Sequence, residues 1–203
     1  MIRTGILFAS LPLAAGSVLL AAGRPVPSAM CFGLGGFVLY FFRDPERTVP
    51  SEPGAIVSPA DGRVLAVENV EEAGELRTRV SIFLSLFDVH VNRAPIAGTI
   101  RQVEYRPGKF HVATAAGAGR ENEQNIVTIE GEQTRVTFKQ IAGILARRIE
   151  FWKRMGDQLA RGERVGMIRF GSRVEVLLEP RCRVQVQPGE RVRGGSSILA
   201  IRE

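Results

Sequence analysis

Three side chains in this sequence are of the types that together activate a nucleophile. Asp61 lies in the turn-like run SPADG, His90 lies in LSLFDVHVNRAP, and Ser172 follows Gly171 in GMIRFGS. A histidine can take the proton of a serine hydroxyl, and a carboxylate can orient that histidine and stabilise its cation. Asp61, His90 and Ser172 are therefore the candidate catalytic residues.

The same residues also have a purely structural explanation. Asp61 would cap a turn, His90 would be an ordinary strand histidine and Ser172 a bend residue. Residue types alone favour this explanation, because functional sites account for a minority of such residues. A serine hydrolase is a second alternative, although the Gly171-Ser172 pair lacks the GxSxG pattern of a nucleophile elbow.

Other kinds of site lack their motifs in this sequence. His90 and His111 are its two histidines, and no Cys/His cluster has the spacing of a zinc site, so no metal is expected. Neither GxGxxG nor GxxxxGK[ST] occurs, so no phosphate-binding loop is indicated. A pyridoxal phosphate enzyme would need a lysine, and the lysines (Lys109, Lys139 and Lys153) lie in no recognisable context for one.

The first 43 residues predict a membrane-associated helical hairpin. Residues 5–23 and 25–42 carry no charge, and each run is close to the roughly 20 residues that span a bilayer. Arg24 and two prolines separate the runs, and arginines flank the outer ends, which the positive-inside rule places in the cytoplasm. The hairpin could span the membrane or only enter it. A cleaved signal peptide or a buried core helix is the alternative.

Residues 44–203 predict a mainly β catalytic domain. Short runs of β-branched and apolar residues alternate with Pro/Gly turns every 8–12 residues, which is typical of a sandwich or barrel. A repeat with an offset of 33 relates Gly156 and Gly162 to Gly189 and Gly195. Its turns resemble those of barrel-sandwich hybrid domains of the lipoyl kind. No lysine occupies a hairpin tip, so the repeat predicts a scaffold rather than a lipoyl carrier.

The charge balance favours a membrane surface as partner. The chain has 27 Lys and Arg against 21 Asp and Glu, a net charge of +6, and nearly all of its cations are arginines. Such a balance suits anionic lipid or nucleic acid. No basic run with interleaved aromatic residues is present, so nucleic acid is not expected as a partner.

Six segments, in order, resemble the short bacterial and archaeal phosphatidylserine decarboxylases. They cover most of the chain after residue 40, and the apolar start also matches that family's membrane-associated start. Together they are far more specific than any single motif. The segments are FFRDPERTVP (41–50), SPADGRV (58–64), FLSLFDVHVNRAP (83–95), YRPGKF (105–110), ENEQN (121–125) and GMIRFGS (166–172).

The resemblance implies a cofactor that the chain makes from itself. Self-cleavage between Gly171 and Ser172 would turn Ser172 into a covalent pyruvoyl group, leaving a large chain (1–171) and a small chain (172–203). The pyruvoyl group would form a Schiff base with phosphatidylserine, or a related aminophospholipid such as archaetidylserine, and support its decarboxylation at the cytoplasmic face of the cell membrane. His90 would serve as base and proton donor, and Asp61 would orient it.

One departure from the family concerns the second histidine. Long-form members have two histidines three residues apart, whereas here the first falls on His90 and the second on Arg93. His90 must therefore act alone or with another group, such as His111. Arg93, Arg173 and His111 are candidates for binding the substrate, the two arginines through its phosphate or carboxylate. The alternatives to this enzyme are a membrane-tethered hydrolase with an intact Ser172 and a non-catalytic lipid-binding β domain.

Overall fold

The computed structural model describes residues 3–72, 74–115, 117–144, 148–169 and 171–203. The chain divides into two compact units, residues 1–46 and 47–203. The division lies three residues beyond the boundary at 43/44 that the apolar pattern suggested. Each unit is described separately.

The first unit is the expected pair of apolar helices. Helix α1 covers Arg3–Ala21 and helix α2 covers Pro25–Phe41, with a proline at the first helical position of α2. The helices pack closely, since the Ser28 hydroxyl donates to the carbonyl oxygen of Gly16 at 2.7 Å. Helix α1 is long and apolar enough to cross a bilayer, with a mean hydropathy of 1.8 over Thr4–Ala21, whereas α2 is shorter.

The second unit is mainly β, as the turn spacing predicted. Its described residues form one short helix, α3 (Ala118–Glu121), and strands in the following order. The strands are β1 (Ala55–Val57), β2 (Gly62–Glu72), β3 (Glu75–Leu84), β4 (Val91–Arg93), β5 (Gly98–Arg106), β6 (Gln124–Glu130), β7 (Arg135–Ile141), β8 (Arg148–Phe151), β9 (Gln158–Leu159), β10 (Arg164–Arg169), β11 (Ser172–Leu178), β12 (Cys182–Val184), β13 (Arg191–Val192) and β14 (Ile198–Arg202).

The strands form three antiparallel sheets around one apolar core. The large sheet has the order β13-β2-β3-β11-β7-β6-β5-β9, and the two small sheets have the orders β4-β10-β8 and β1-β14-β12. The core combines side chains from all three sheets, including the fully buried Ile82, Phe138 and Ile168. Strand β11 lies in the middle of the large sheet, hydrogen-bonded to β3 on one side and β7 on the other.

The internal repeat appears as two copies of the same turn. Gly156 and Gly189 have φ angles of 93° and 95°, and Gly162 and Gly195 both have φ of 78°. These left-handed conformations favour glycine. The copies meet at their second glycines, because a β-carbon on Gly195 would lie 3.6 Å from the Cα of Gly162.

A chain of buried amides joins the large sheet to β4. Asn125 donates to Gln140 at 2.9 Å, Gln140 donates to Asn92 at 2.8 Å, and Asn92 donates to the carbonyl oxygen of Pro59 at 3.5 Å. All three amide side chains are buried. Since β4 begins one residue after His90, these amide hydrogen bonds hold in place the strand that follows the histidine.

Replacing Gln140 by leucine tests this amide chain. The Gln140→Leu variant leaves polar groups of Asn92 and Asn125 buried without this partner, so we expect the free energy of unfolding to fall by about 3 kcal/mol. Urea unfolding of the full chain, followed by the fluorescence of its single tryptophan, Trp152, reports on the second unit.

A control variant lies on the same strand. Thr137 pairs with Thr128 at 2.9 Å between hydroxyl oxygens and is only partly buried. Thr137→Val should cost about 1 kcal/mol. Equal losses in the two variants would show that the amide chain has no special structural role.

Candidate functional site

Ser172 lies at the start of the central strand of the large sheet. It opens β11 opposite Leu84, the last residue of β3, and the next residue of β11 pairs with Ile141 at the end of β7. Ser172 is fully buried, and its hydroxyl has no hydrogen-bond partner within the described part of the chain. Burying a hydroxyl without a partner costs about 1–3 kcal/mol, and such orphaned groups cluster where function requires them.

Gly171 presents the peptide bond before Ser172 in a left-handed conformation. Its φ is 66°, and a β-carbon there would meet nothing within 4 Å. Glycine is therefore favoured at this position by backbone geometry rather than by space, since a side chain would cost about 1–2 kcal/mol in the left-handed region. The Gly171 N–H donates to Nε2 of His90 at 3.4 Å.

The carbonyl oxygen of Gly171 points at a second glycine. A β-carbon on Gly143 would lie 2.4 Å from this oxygen and 3.3 Å from the β-carbon of Ala113. Here the requirement is for space, because real β-carbons do not approach an oxygen so closely. The bare backbone of Gly143 thus fixes where the carbonyl group that precedes Ser172 can lie.

A tight turn orients His90. The carboxylate of Asp88 accepts hydrogen bonds from the backbone N–H and the hydroxyl of Ser85, at 2.8 and 2.7 Å, and so closes the turn over residues 85–88. Nδ1 of His90 lies 3.0 Å from the carbonyl oxygen of Asp88. A carbonyl oxygen can only accept, so this contact assigns the ring proton to Nδ1 and leaves a lone pair on Nε2, the nitrogen that faces Gly171.

Asp61 is held by other groups than His90. Its carboxylate accepts from Arg47 at 2.7 and 2.9 Å and from the backbone N–H of Gly194 at 2.8 Å. Burial raises the pKa of the Asp61 carboxyl above its ordinary value, while the Gly194 N–H and Arg47 act in the opposite direction. The orienting contact that we expected from Asp61 is made on Nδ1 of His90 by Asp88.

The turn that carries Asp61 nevertheless contacts the strand that follows His90. The backbone N–H of Arg93 donates to the carbonyl oxygen of Pro59 at 2.9 Å. Because His90 also contacts Gly171, the structure brings the Asp61 turn, His90 and the Gly171-Ser172 bond into one region. The sequence did not predict the ion pair of Arg47 with Asp61, although Arg47 lies in one of the six segments. The two residues are 14 positions apart, and no local pattern indicates that they meet.

Both arginines considered for headgroup binding are buried in contacts within the protein. Arg93 donates to the carbonyl oxygen of Gly162 at 3.0 Å, at the junction of the two repeat turns. Arg173 donates to the Ser81 hydroxyl at 2.9 Å and pairs with Glu175 at 2.8 Å. Either arginine would have to exchange partners before it could bind a lipid phosphate.

The Arg173–Glu175 pair forms a buried ionic cluster next to Ser172. Glu175 is 1% exposed and lies opposite Lys139 on β7, which in turn donates to Glu72 at 2.5 Å. A β-carbon on Gly119 would lie 2.5 Å from Glu175, so α3 covers the carboxylate closely. Removing one member of such a pair is expected to cost about 3–5 kcal/mol, which suits an anchor for the start of β11.

His111 lies in the connection between β5 and α3. Its side chain is about half exposed, with Nε2 3.4 Å from a carboxylate oxygen of Glu121, and its backbone N–H donates to Asn122. Ala113, two residues on, is the residue that approaches Gly143. His111 thus belongs to a neighbouring loop, while His90 is the histidine in contact with Gly171.

No group of three or more His, Cys, Asp or Glu side chains within the described ranges could hold a metal ion. The groups around the Gly171-Ser172 bond are a buried serine, a buried histidine and a backbone carbonyl. This set can perform acyl transfer from Gly171 to the Ser172 hydroxyl.

Comparison with known proteins identifies the family. The family model described as phosphatidylserine decarboxylase matches residues 34–200. A phosphatidylserine decarboxylase proenzyme of Solibacter usitatus is 51% identical over 202 residues, covering 100% of this chain and 97% of the relative. Proenzymes with the same name from Symbiobacterium thermophilum (50% identical, 84% and 81% covered) and Chlorobium phaeobacteroides (41% identical, 97% and 93% covered) also match. The chain therefore belongs to the phosphatidylserine decarboxylase family.

Proposed function

We propose that this chain decarboxylates phosphatidylserine to phosphatidylethanolamine, with a pyruvoyl group that it forms from Ser172 by self-cleavage. The observation that carries the proposal is the buried Ser172 hydroxyl, which lacks a partner among the described residues and follows a peptide whose N–H contacts Nε2 of His90. The relatives are named proenzymes, which supports a precursor that is processed. The resemblance seen in the six segments implies the same cofactor.

Self-cleavage begins with attack of the Ser172 hydroxyl on the carbonyl carbon of Gly171. The peptide C–N bond breaks and an ester forms, while the hydroxyl proton passes to the base and then to the new amine. Elimination across Cα–Cβ of Ser172 releases the carboxylate of Gly171 and leaves dehydroalanine. Tautomerisation to an imine and addition of water then release ammonia and leave a pyruvoyl group at position 172.

His90 is the base in this proposal. Its Nε2 carries the lone pair and already lies 3.4 Å from the backbone nitrogen of Gly171. For this role, Nε2 must give up its contact with the Gly171 N–H and accept a hydrogen bond from the Ser172 hydroxyl. The exchange is favourable because that hydroxyl has no other partner among the described residues. A positioned general base contributes about 10²–10⁴-fold to the rate.

Asp61 contributes through the turn that it stabilises. Its carboxylate joins Arg47 to the backbone of Gly194, and its turn contacts β4, the strand after His90. In this proposal Asp61 sets the local electrostatic field and holds the turn, while the carbonyl oxygen of Asp88 stabilises the protonated imidazole of His90 directly.

The residues present fit a pyruvoyl group at position 172. Position 172 is buried and begins a strand with partners on both sides, and its hydroxyl, which is not engaged within the described residues, is available as the nucleophile that starts formation of the group. A pyruvoyl carbonyl condenses with a primary amine and serves as an electron sink for decarboxylation, as pyridoxal phosphate does. His90 then delivers the proton that replaces the lost carboxylate on the substrate carbon.

The two products of cleavage are expected to stay together. Residues 172–203 supply β11, β12, β13 and β14. Strand β11 pairs with β3 and β7, β13 pairs with β2, and β14 pairs with β1, all on the large-chain side of the cut. Each small-chain pairing is antiparallel and contributes to one shared core. The processed enzyme is thus a heterodimer of residues 1–171 and 172–203.

The helical hairpin places the enzyme at a membrane in this proposal. Helix α1 has the length and hydropathy of a membrane span. Arg3 and Arg43 flank the outer ends of the hairpin, so the positive-inside rule puts both ends on the cytoplasmic side of the cell membrane. An aminophospholipid in that membrane is the substrate.

Replacing Ser172 by alanine should abolish processing. The intact mass of the purified wild-type protein should show a small chain of 32 residues (203 minus 171) blocked by pyruvoyl, together with the large chain. Ser172→Ala should remain a single chain and make no phosphatidylethanolamine from phosphatidylserine vesicles, whereas the exposed Ser51→Ala should behave as wild type. A wild-type protein that stays a single chain would contradict the proposal, and a hydrolytic activity of that intact chain that is lost in Ser172→Ala would favour the hydrolase.

The two histidines provide a matched test of the base. In His90→Gln the side chain keeps an amide near the position of Nε2 but has no basic nitrogen, so self-cleavage should slow by at least about 100-fold. His111→Gln should be processed at the normal rate. Time-resolved gel analysis of newly made protein measures both rates, and slow processing of His111→Gln with normal processing of His90→Gln would transfer the role to His111.

Gly143→Ala tests the space around the scissile carbonyl. The new β-carbon of residue 143 would lie 2.4 Å from the Gly171 carbonyl oxygen and would push that oxygen aside. A misplacement of about 1 Å can lower the rate about 100-fold. Self-cleavage should therefore slow strongly while Trp152 fluorescence shows a folded domain.

Gly74→Ala is the control for Gly143→Ala. Gly74 has a φ of 79° and open space around its Cα at the β2–β3 hairpin, so it tests backbone strain without a clash. It should be processed normally. If Gly143→Ala were also processed at the wild-type rate, the contact with the Gly171 carbonyl would have no role in cleavage.

A further inference from the structure

Three loops around the cleavage site each expose a large apolar side chain. Phe87 is 66% exposed, Val112 is 51% exposed and Ile144 is 55% exposed. We call these three residues the apolar rim. Exposed apolar side chains that are scattered singly are ordinary, but several of them grouped around one site indicate contact with a partner or a membrane.

The contacts of the neighbouring residues place the rim around one peptide bond. Val112 precedes Ala113 and Ile144 follows Gly143, and Ala113, Gly143 and the Gly171 carbonyl oxygen all lie within a few ångströms of one another. Phe87 belongs to the turn that orients His90, whose ring contacts the Gly171 N–H. The three apolar residues therefore belong to separate loops whose neighbouring residues contact Gly171 or His90.

Two arginines lie beside the Phe87 turn. Arg63 on β2 and Arg191 on β13 face each other in register, and both are exposed. Arg191 is 3.4 Å from the carboxylate of Asp88, which follows Phe87. Arg63 donates to the carbonyl oxygen of Gly189 at 3.2 Å, so both guanidinium groups are held in place while further N–H donors stay exposed to bind a lipid phosphate.

We propose that the apolar rim and the Arg63–Arg191 pair form a membrane-docking surface that inserts at an anionic bilayer interface. This inference rests on the proposed function, because an aminophospholipid keeps its acyl chains in the bilayer while its amine must reach position 172. Apolar side chains flanked by arginines are the combination that lies at the headgroup boundary of anionic membranes. The rim would carry the site to the lipid, so that the lipid need not leave the membrane.

The opposite end of the large sheet offers a matched control. Leu76 is 60% exposed, close to the value for Phe87, but it lies near the start of β3, whereas Leu84 at the end of β3 pairs with Ser172. Eight residues of strand separate these two leucines by about 26 Å. Leu76 and Arg181 line the same surface pocket at that end.

Site-specific fluorescence quenching tests the orientation directly. Trp152 is the only tryptophan, so Trp152→Phe provides a full-length background into which Phe87→Trp or Leu76→Trp is introduced. Vesicles of phosphatidylglycerol and phosphatidylcholine, brominated near the top of the acyl chains, are then added. A tryptophan at position 87 should lose about half of its fluorescence, because rim insertion reaches about 5–10 Å into the boundary, whereas one at position 76 should be little affected.

Equal quenching at the two positions, or none at position 87, would overturn the docking surface. The fluorescence measurement needs neither self-cleavage nor turnover, and it can be repeated in the Ser172→Ala chain. A failure of the proposed function would appear in the intact mass and in the lipid assay, and so remains distinguishable from a failure of docking.

The charge component is tested in the same fluorescence assay. Arg63→Gln with Arg191→Gln should raise the phosphatidylglycerol concentration needed for half-maximal quenching at position 87 by about fivefold per arginine. The exposed Arg181→Gln at the control end should leave it unchanged. If the half-maximal lipid concentration rose by the same factor per arginine in both variants, only the overall charge would attract the membrane. That result would remove the Arg63–Arg191 pair from the docking surface.

Discussion

The position of one buried hydroxyl governs the arrangement of this site. Ser172 begins a strand that is hydrogen-bonded on both sides, so its backbone cannot move to give the side chain another partner. Within the described residues the hydroxyl has no hydrogen-bond partner, and the apolar core that the surrounding sheets bury can offset that cost. A buried hydroxyl with no hydrogen-bond partner among the described residues gives up little solvation when it reacts, and this supports the nucleophilic role proposed for Ser172.

The other elements of the site restrict the groups that meet this hydroxyl. The Asp88 turn fixes the tautomer and direction of His90, and the amide chain through Gln140 holds the following strand against the large sheet. Two glycines act on the scissile peptide in different ways: Gly171 adopts a left-handed backbone, whereas Gly143 leaves room for a carbonyl oxygen. Backbone geometry, rather than a large set of polar side chains, thus positions the peptide bond for which we propose cleavage.

Local patterns in the sequence predicted the elements but not their contacts. The two apolar runs, the period of the strands and the repeated glycine turns are properties of neighbouring residues, and the structure confirms them. The ion pair of Asp61 with Arg47, the bond of His90 to Asp88 and the approach of Gly143 to Gly171 depend on how distant segments pack. The sequence predicts that Asp61 orients His90, but in the structure Nδ1 contacts the backbone carbonyl of Asp88, and no side-chain pattern could indicate that contact.

The replacement of the second histidine by Arg93 can now be understood from its surroundings. Arg93 is buried at the junction of the repeat turns, where its guanidinium donates to Gly162 and its aliphatic stem lies close to Gly195. A fixed cation in this place organises the turn region and cannot exchange a proton at neutral pH. His90 is then the titratable ring that contacts the Gly171 peptide. One imidazole can serve both stages of the proposed chemistry. It accepts the proton of the Ser172 hydroxyl during self-cleavage, and its protonated form later donates a proton to the substrate carbon.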